Sequence, residues 1–223
     1  DLPFREREAG LLARDAARLR KRFTHMLVLG IGGSALGTKA VLEAIGEAGA
    51  RKGLAVNVAD NVDPDVFFPL LRSVPMKSAV VVAVSKSGGT AETNAQLSLA
   101  IDALKKVNGR SWKERVILIT DPEKGIFRRM AREQWIKAYP VPLNVGGRFS
   151  VLSPVGLFPL AAAGVSVEKL LSGARHMETL LRGKKPGENP VLFASAVYAH
   201  YLLSDPKPVN VWMTYGAGLE RVA

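Results

Sequence analysis

The sequence predicts an α/β fold, a parallel sheet wound on both faces by helices, and three observations predict it. Short apolar runs rich in Val, Leu and Ile alternate with segments of helical period. The runs are apolar at nearly every position rather than every second one, as in strands buried on both faces. Two of them break into Gly/Ser loops just ahead of a helix, the usual exit from a parallel strand.

The elements follow in order. Residues 5–22 read as a helix, with Leu11, Leu12, Ala16 and Leu19 on an apolar side. Strand 26–29 leads to helix 35–48. Strand 54–59 leads to helix 64–73, with Asp63 as cap and Pro64 in the first turn. Strand 79–84 leads to helix 90–106, and strand 116–120 to helix 123–133 through Asp121-Pro122. Strand 136–139 closes the series. Beyond Gly146-Gly147-Arg148 the pattern turns helical, over 153–163, 166–182 and 189–204, and Val209-Asn210-Val211-Trp212-Met213 reads as a last strand that joins the sheet. The polar stretch Arg182–Pro190 is a loop and not a domain boundary. The whole chain, 1–223, reads as a single α/β domain, with residues 1–22 an N-terminal helix and 151–223 a mostly helical continuation.

Composition excludes several function classes. The 223 residues carry a net charge of +11, yet the basic residues are scattered and not interleaved with aromatics, so no nucleic-acid partner is expected. No run of 18 apolar residues occurs, so no membrane partner is expected either. There is no Cys, which rules out disulfides, Cys-ligated metal and Cys nucleophiles, and residues 1–8 lack a leader pattern. Together these suit a cytoplasmic protein. His25, His176 and His200 share no metal-ligand spacing with any carboxylate, so no metal is expected. Trp112, Trp135 and Trp212 are expected in the core or at an interface.

Chemistry concentrates in three loops. Gly30-Ile31-Gly32-Gly33-Ser34 has the form of a dinucleotide fingerprint, but the acidic residue about 20 positions on is replaced by Arg51 and Lys52, so no nucleotide cofactor is expected. Ser85-Lys86-Ser87-Gly88-Gly89-Thr90-Ala91-Glu92-Thr93 supplies four hydroxyls, two glycines and a lysine at a helix entry. Thr90 and Thr93 share one helix face, and hydroxyls, free N–H groups and the positive dipole end converge there on an anion. A capping box from Thr90 to Thr93 would explain one hydroxyl, not four. Gly146-Gly147-Arg148-Phe149-Ser150 sets an arginine behind a flexible turn, able to stabilise developing negative charge. Two such loops at neighbouring strand ends would build one pocket for a small phosphorylated molecule.

Taken together, these three motifs and the Asp60-Asn61-Val62-Asp63-Pro64 loop resemble the glucose-6-phosphate isomerase family over essentially the whole chain. The resemblance implies a sugar-isomerase domain, a doubly wound five-stranded parallel sheet flanked by helices. It implies reversible isomerisation of glucose 6-phosphate to fructose 6-phosphate through a cis-enediol, without cofactor or metal, by a homodimer acting in glycolysis and gluconeogenesis. Carried over by position, Ser85, Ser87, Thr90 and Thr93 would take the phosphate and Lys86 would sit beside it. Gly33 and Ser34 would line the sugar, and Gly147 and Arg148 would hold water and stabilise the enediol. Gly89 departs from the Thr usual in bacterial relatives, at the loss of one hydroxyl. The family's base Glu, ring-opening His and a Lys would fall beyond Ala223, and Glu220 does not match the base position. The chain is thus expected to be an internal portion that holds the phosphate clamp and lacks the proton-transfer groups. An isomerase of another sugar phosphate, or a binding module without catalysis, remains open at this point.

Overall fold

The computed structural model describes residues 1–49, 53–204, 209, 211–214 and 217–220. Five strands, β1 (His25–Leu29), β2 (Ala55–Ala59), β3 (Ala79–Val84), β4 (Val116–Thr120) and β5 (Lys137–Pro140), pair in the order β2-β1-β3-β4-β5. Every pairing is parallel. The expected doubly wound, five-stranded sheet is therefore present. The expected last strand is not: Val209, Val211, Trp212 and Met213 lie outside any strand, and Asn210 lies outside the described residues. Their apolar pattern gives strand propensity, but packing and pairing decide whether a strand forms, and here Val209, Val211, Trp212 and Met213 are exposed.

Helices cover both faces. On one side lie α1 (Glu6–Arg20), α2 (Leu36–Gly49), α6 (Pro154–Ala162) and α7 (Val167–Leu181); on the other lie α3 (Pro64–Ser73), α4 (Ala91–Asn108) and α5 (Ile126–Gln134). Strand β3 shows why the apolar runs lack alternation. Val80, Val82 and Val84 enter one core, while Ala79, Val81 and Ala83 enter the other, and all six are buried. α6 is buried at every residue.

Some local expectations need correction. On α1, Leu12 and Ala16 face the core and Leu19 packs against it, but Leu11, a hundred degrees round the helix from Leu12, is exposed. α5 begins at Ile126 rather than near residue 123, because the Asp121 carboxylate accepts the N–H groups of Glu123 and Lys124 and Gly125 turns through φ +96°. Of the three tryptophans expected in the core or at an interface, Trp112 packs on the core. Trp135 is 93% exposed in a left-handed conformation that ends α5, and Trp212 is also exposed. Asp63 caps α3 by accepting the Asp65 N–H at 2.9 Å, with Pro64 in the first turn as expected. Among the described residues no helix is long and apolar enough to cross a membrane.

Candidate functional site

Strand order dictates where a crevice opens. In the order β2-β1-β3-β4-β5 the winding reverses between β1 and β3, so the loops that leave the C-terminal ends of these two strands diverge around a cleft. Those are the two Gly/Ser loops singled out above.

After β1 the chain makes one short turn, Gly32–Ser34, with Gly32 at φ +56°. Gly33 lies against Gly147 so closely that a β-carbon would sit 2.3 Å from the Gly147 carbonyl carbon. Ser150 Oγ, from the same stretch as Gly147, lies within hydrogen-bond reach of two carbonyl oxygens, Gly147 at 2.6 Å and Gly33 at 3.3 Å. Gly33 and Ser34 are thereby brought beside Gly147 and Arg148, which are far apart from them in sequence. Ser34 is half-buried. The Arg148 guanidinium is exposed, with no ion pair or hydrogen bond among the described residues.

After β3 the loop is wound tightly on itself. Ser85 Oγ lies 3.0 Å from Thr90 Oγ1 and accepts the Gly88 N–H at 3.1 Å. Ser87 Oγ accepts the Gly89 N–H at 3.1 Å, which leaves its own proton free to donate outward. Gly88 sits at φ +65°, with the α5 backbone at Phe127 where a β-carbon would go. Thr90 precedes α4 but its side chain caps nothing, so the expected alternative of a capping box does not form. The first turn of α4 keeps its N–H groups and dipole end uncapped by any side chain, beside the hydroxyls of Ser85, Ser87 and Thr90.

Two residues do not join this group. Thr93 is buried, and its hydroxyl is turned inward without a partner. Lys86 spends its ammonium on the loop that leads to Arg148, donating to the carbonyls of Leu143 at 2.7 Å and Val145 at 2.9 Å. The three histidines lie apart, His25 at the start of β1 and His176 and His200 on helices, and no cluster fit for a metal occurs among the described residues.

Other residues shape the site unseen in the motif reading. Asn94 Nδ2 donates to the carbonyls of Gly88 at 3.1 Å and Thr90 at 2.8 Å and so pins the loop. Its position four residues after Thr90, one turn along α4, is the available signal. Gly125 lies where a β-carbon would meet the Ser87 carbonyl oxygen at 2.3 Å. Gln96 donates to the Asn61 carbonyl at 3.0 Å, and Lys39 pairs with Asp60 at 2.7 Å, fixing the loop after β2. The Asp121 carboxyl is held below the usual carboxylate range by the N–H groups of Glu123 and Lys124.

The loop after β3 offers an anion uncapped N–H groups, hydroxyl donors and a dipole end, and the loop after the neighbouring β1 packs on the segment whose Arg148 guanidinium has no partner among the described residues. Comparison with known proteins places the chain in a family. The model of the phosphoglucose isomerase family matches residues 15–223. Glucose-6-phosphate isomerase of Carboxydothermus hydrogenoformans is 40% identical over 98% of this chain and 48% of its own length. That of Thermus thermophilus is 42% identical over 88% of this chain and 45% of its own. In crystal structures, a glucose-6-phosphate isomerase from Chlamydia trachomatis superposes with a TM-score of 0.85 at 26% identity, over 97% of this chain and 41% of that one. A hypothetical protein from Thermus thermophilus superposes at 0.83 with 39% identity, over 100% of this chain and 51% of that one. The chain thus spans about half the length of the curated relatives it matches. On the span of the family match and the identity of these relatives, the chain belongs to the phosphoglucose isomerase family.

Proposed function

We propose that this chain is the phosphate- and intermediate-holding part of a glucose-6-phosphate isomerase, which interconverts glucose 6-phosphate and fructose 6-phosphate. One observation supports the reading: the loop of Ser85, Ser87 and Thr90 leaves β3 at the uncapped start of α4, the loop of Gly33 and Ser34 leaves the neighbouring strand β1, and Gly33 packs on Gly147 beside Arg148. The phosphate would take N–H and hydroxyl donors at the start of α4. The sugar would extend past Gly33 and Ser34 towards Arg148.

After ring opening, a carboxylate takes a proton from one carbon and returns it to its neighbour through a cis-enediol(ate). Arg148, free of any ion pair among the described residues, stabilises the charge that develops on the enediolate oxygens. None of the described residues is given the role of the base here; that role is proposed to fall to a part of the enzyme outside residues 1–223. A homodimer in the cytoplasm, acting in glycolysis and gluconeogenesis, belongs to the same reading.

Two measurements test it. Glucose 6-phosphate is expected to protect the amides of residues 85–93 from exchange, and glucose is not; equal protection by both, or by neither, overturns the reading. In an assay for fructose 6-phosphate beside a full-length relative, the 223-residue chain is expected to lack turnover, since a positioned base contributes about 10²–10⁴-fold. Turnover within roughly tenfold of the relative would remove the assignment of the base.

A further inference from the structure

Lys86 lies in the phosphate loop, and its charge is spent elsewhere. We infer that Lys86 is a positioning residue: through the carbonyls of Leu143 and Val145 it ties the loop after β3 to the loop that carries Arg148. The inference rests on the sugar-phosphate reading above and assigns Lys86 a different task from phosphate binding.

The base of the side chain is fixed. The Lys86 carbonyl accepts the Asp121 N–H at 3.0 Å and lies 3.4 Å from Thr120 Oγ1, which clamps the residue to the end of β4. From there the ammonium reaches two carbonyls of the turn that follows β5, at 2.7 and 2.9 Å. Bonds from a charged donor are about twice as strong as neutral ones. A swing of the ammonium towards a phosphate would break both.

The tethered segment needs holding. Gly146 and Gly147 give it slack, and its own bonds are local: Val145 N–H to Pro142 O, Phe149 N–H to Gly146 O, and Ser150 N–H to Gly147 O. From the β1 side it is held by the close approach of Gly33 to Gly147 and by Ser150 Oγ near the Gly33 carbonyl. From the β3 side it is held by Lys86. The Arg148 guanidinium has no partner among the described residues, so its backbone sets its direction. The segment that would take the phosphate therefore also sets the arginine that would meet the enediolate.

Lys86→Met and Lys86→Arg in the 223-residue chain separate the possibilities. Without ligand, Lys86→Met is expected to speed amide exchange at Val145, Phe149 and Ser150 by roughly tenfold, with the amides of β3 and β4 unchanged as the check on folding. Lys86→Arg, which can donate to both carbonyls, is expected to restore wild-type exchange. Affinity for inorganic phosphate, followed at residues 85–93, is expected to stay within about threefold in Lys86→Met, whereas a lost phosphate ligand would cost about tenfold or more. Glucose 6-phosphate is expected to slow exchange at Phe149 and Ser150 in the wild type and not in Lys86→Met. Unchanged exchange at 145–150 in Lys86→Met, or a tenfold loss of phosphate affinity, overturns the inference. Failure of the sugar-phosphate reading looks different: the wild type ignores both phosphate and glucose 6-phosphate, and the exchange arm alone decides whether Lys86 holds the loop.

Discussion

Gly33 shows how a single hydrogen atom can set a site. Its Cα faces the Gly147 carbonyl carbon at a distance that excludes any side chain, so the β1 loop and the arginine loop meet backbone to backbone. Gly33→Ala forces the two apart, and overpacking of this kind costs about 1–3 kcal/mol. Denaturant unfolding is expected to show that loss, together with faster exchange at Phe149. Asp15 is a different case, since its contribution depends on pH. Burial alone would push its carboxyl up, but hydrogen bonds from Lys137 and Tyr139, both at 2.7 Å, outweigh burial and hold it below the ordinary value. A depressed carboxyl stabilises the fold above its unfolded pKa and loses that contribution as pH falls through the folded one. Asp15→Asn is therefore expected to lower stability by about 1 kcal/mol at neutral pH. The gap to wild type closes as pH falls below the carboxylate range, and a gap that persists in acid would assign the loss to packing instead.

At the level of elements, helix starts divide into capped and open. Asp63 caps α3 with a 2.9 Å bond, so Asp63→Ala is expected to cost about 1 kcal/mol in thermal unfolding. Thr90 stands at the same kind of position before α4 and caps nothing. Thr90→Ala removes only the contact with Ser85 Oγ and no cap, so it is expected to cost less stability than Asp63→Ala and to weaken phosphate binding by roughly tenfold. A stability loss equal to that of Asp63→Ala, with binding intact, would make Thr90 a cap after all. Legibility follows the same line between local and distant causes. Strands β3 and β4 and helix α3 occupy the residues the sequence predicts, because burial on both faces and a Pro at the first turn are written locally. The gathering of Ser85, Ser87 and Thr90 was also legible, since one short loop carries them all. The direction of Lys86 and the inward turn of Thr93 were not: the first is set by carbonyls 57 and 59 residues away, the second by how α4 lies on the sheet. The contact between Gly33 and Gly147 is non-local in the same way.

Over the whole molecule, two helices of similar composition meet opposite fates. α6, Pro154–Ala162, is apolar all round and buried at every residue, as such a helix requires. α8, Pro190–Leu203, is as apolar and has no buried residue. Phe193, Leu202 and Leu203 are exposed, and Val209, Val211, Trp212 and Met213 extend the same apolar character beyond it. A contiguous apolar surface larger than a few hundred Å² is rare on soluble monomers and drives association. The 223-residue chain is accordingly expected to self-associate, with a weight-average sedimentation coefficient that rises with concentration into the range of about 100 µM. Since nothing on α8 is buried, Phe193→Lys and Leu202→Lys remove apolar surface without opening a cavity, and stability should stay within about 0.5 kcal/mol. Both substitutions together are expected to return the chain towards monomer while leaving the exchange of β3 and β4 amides untouched. A chain that stays monomeric throughout that concentration range would show that α8 finds cover within its own molecule. Association that survives both substitutions would place the contact on a different surface.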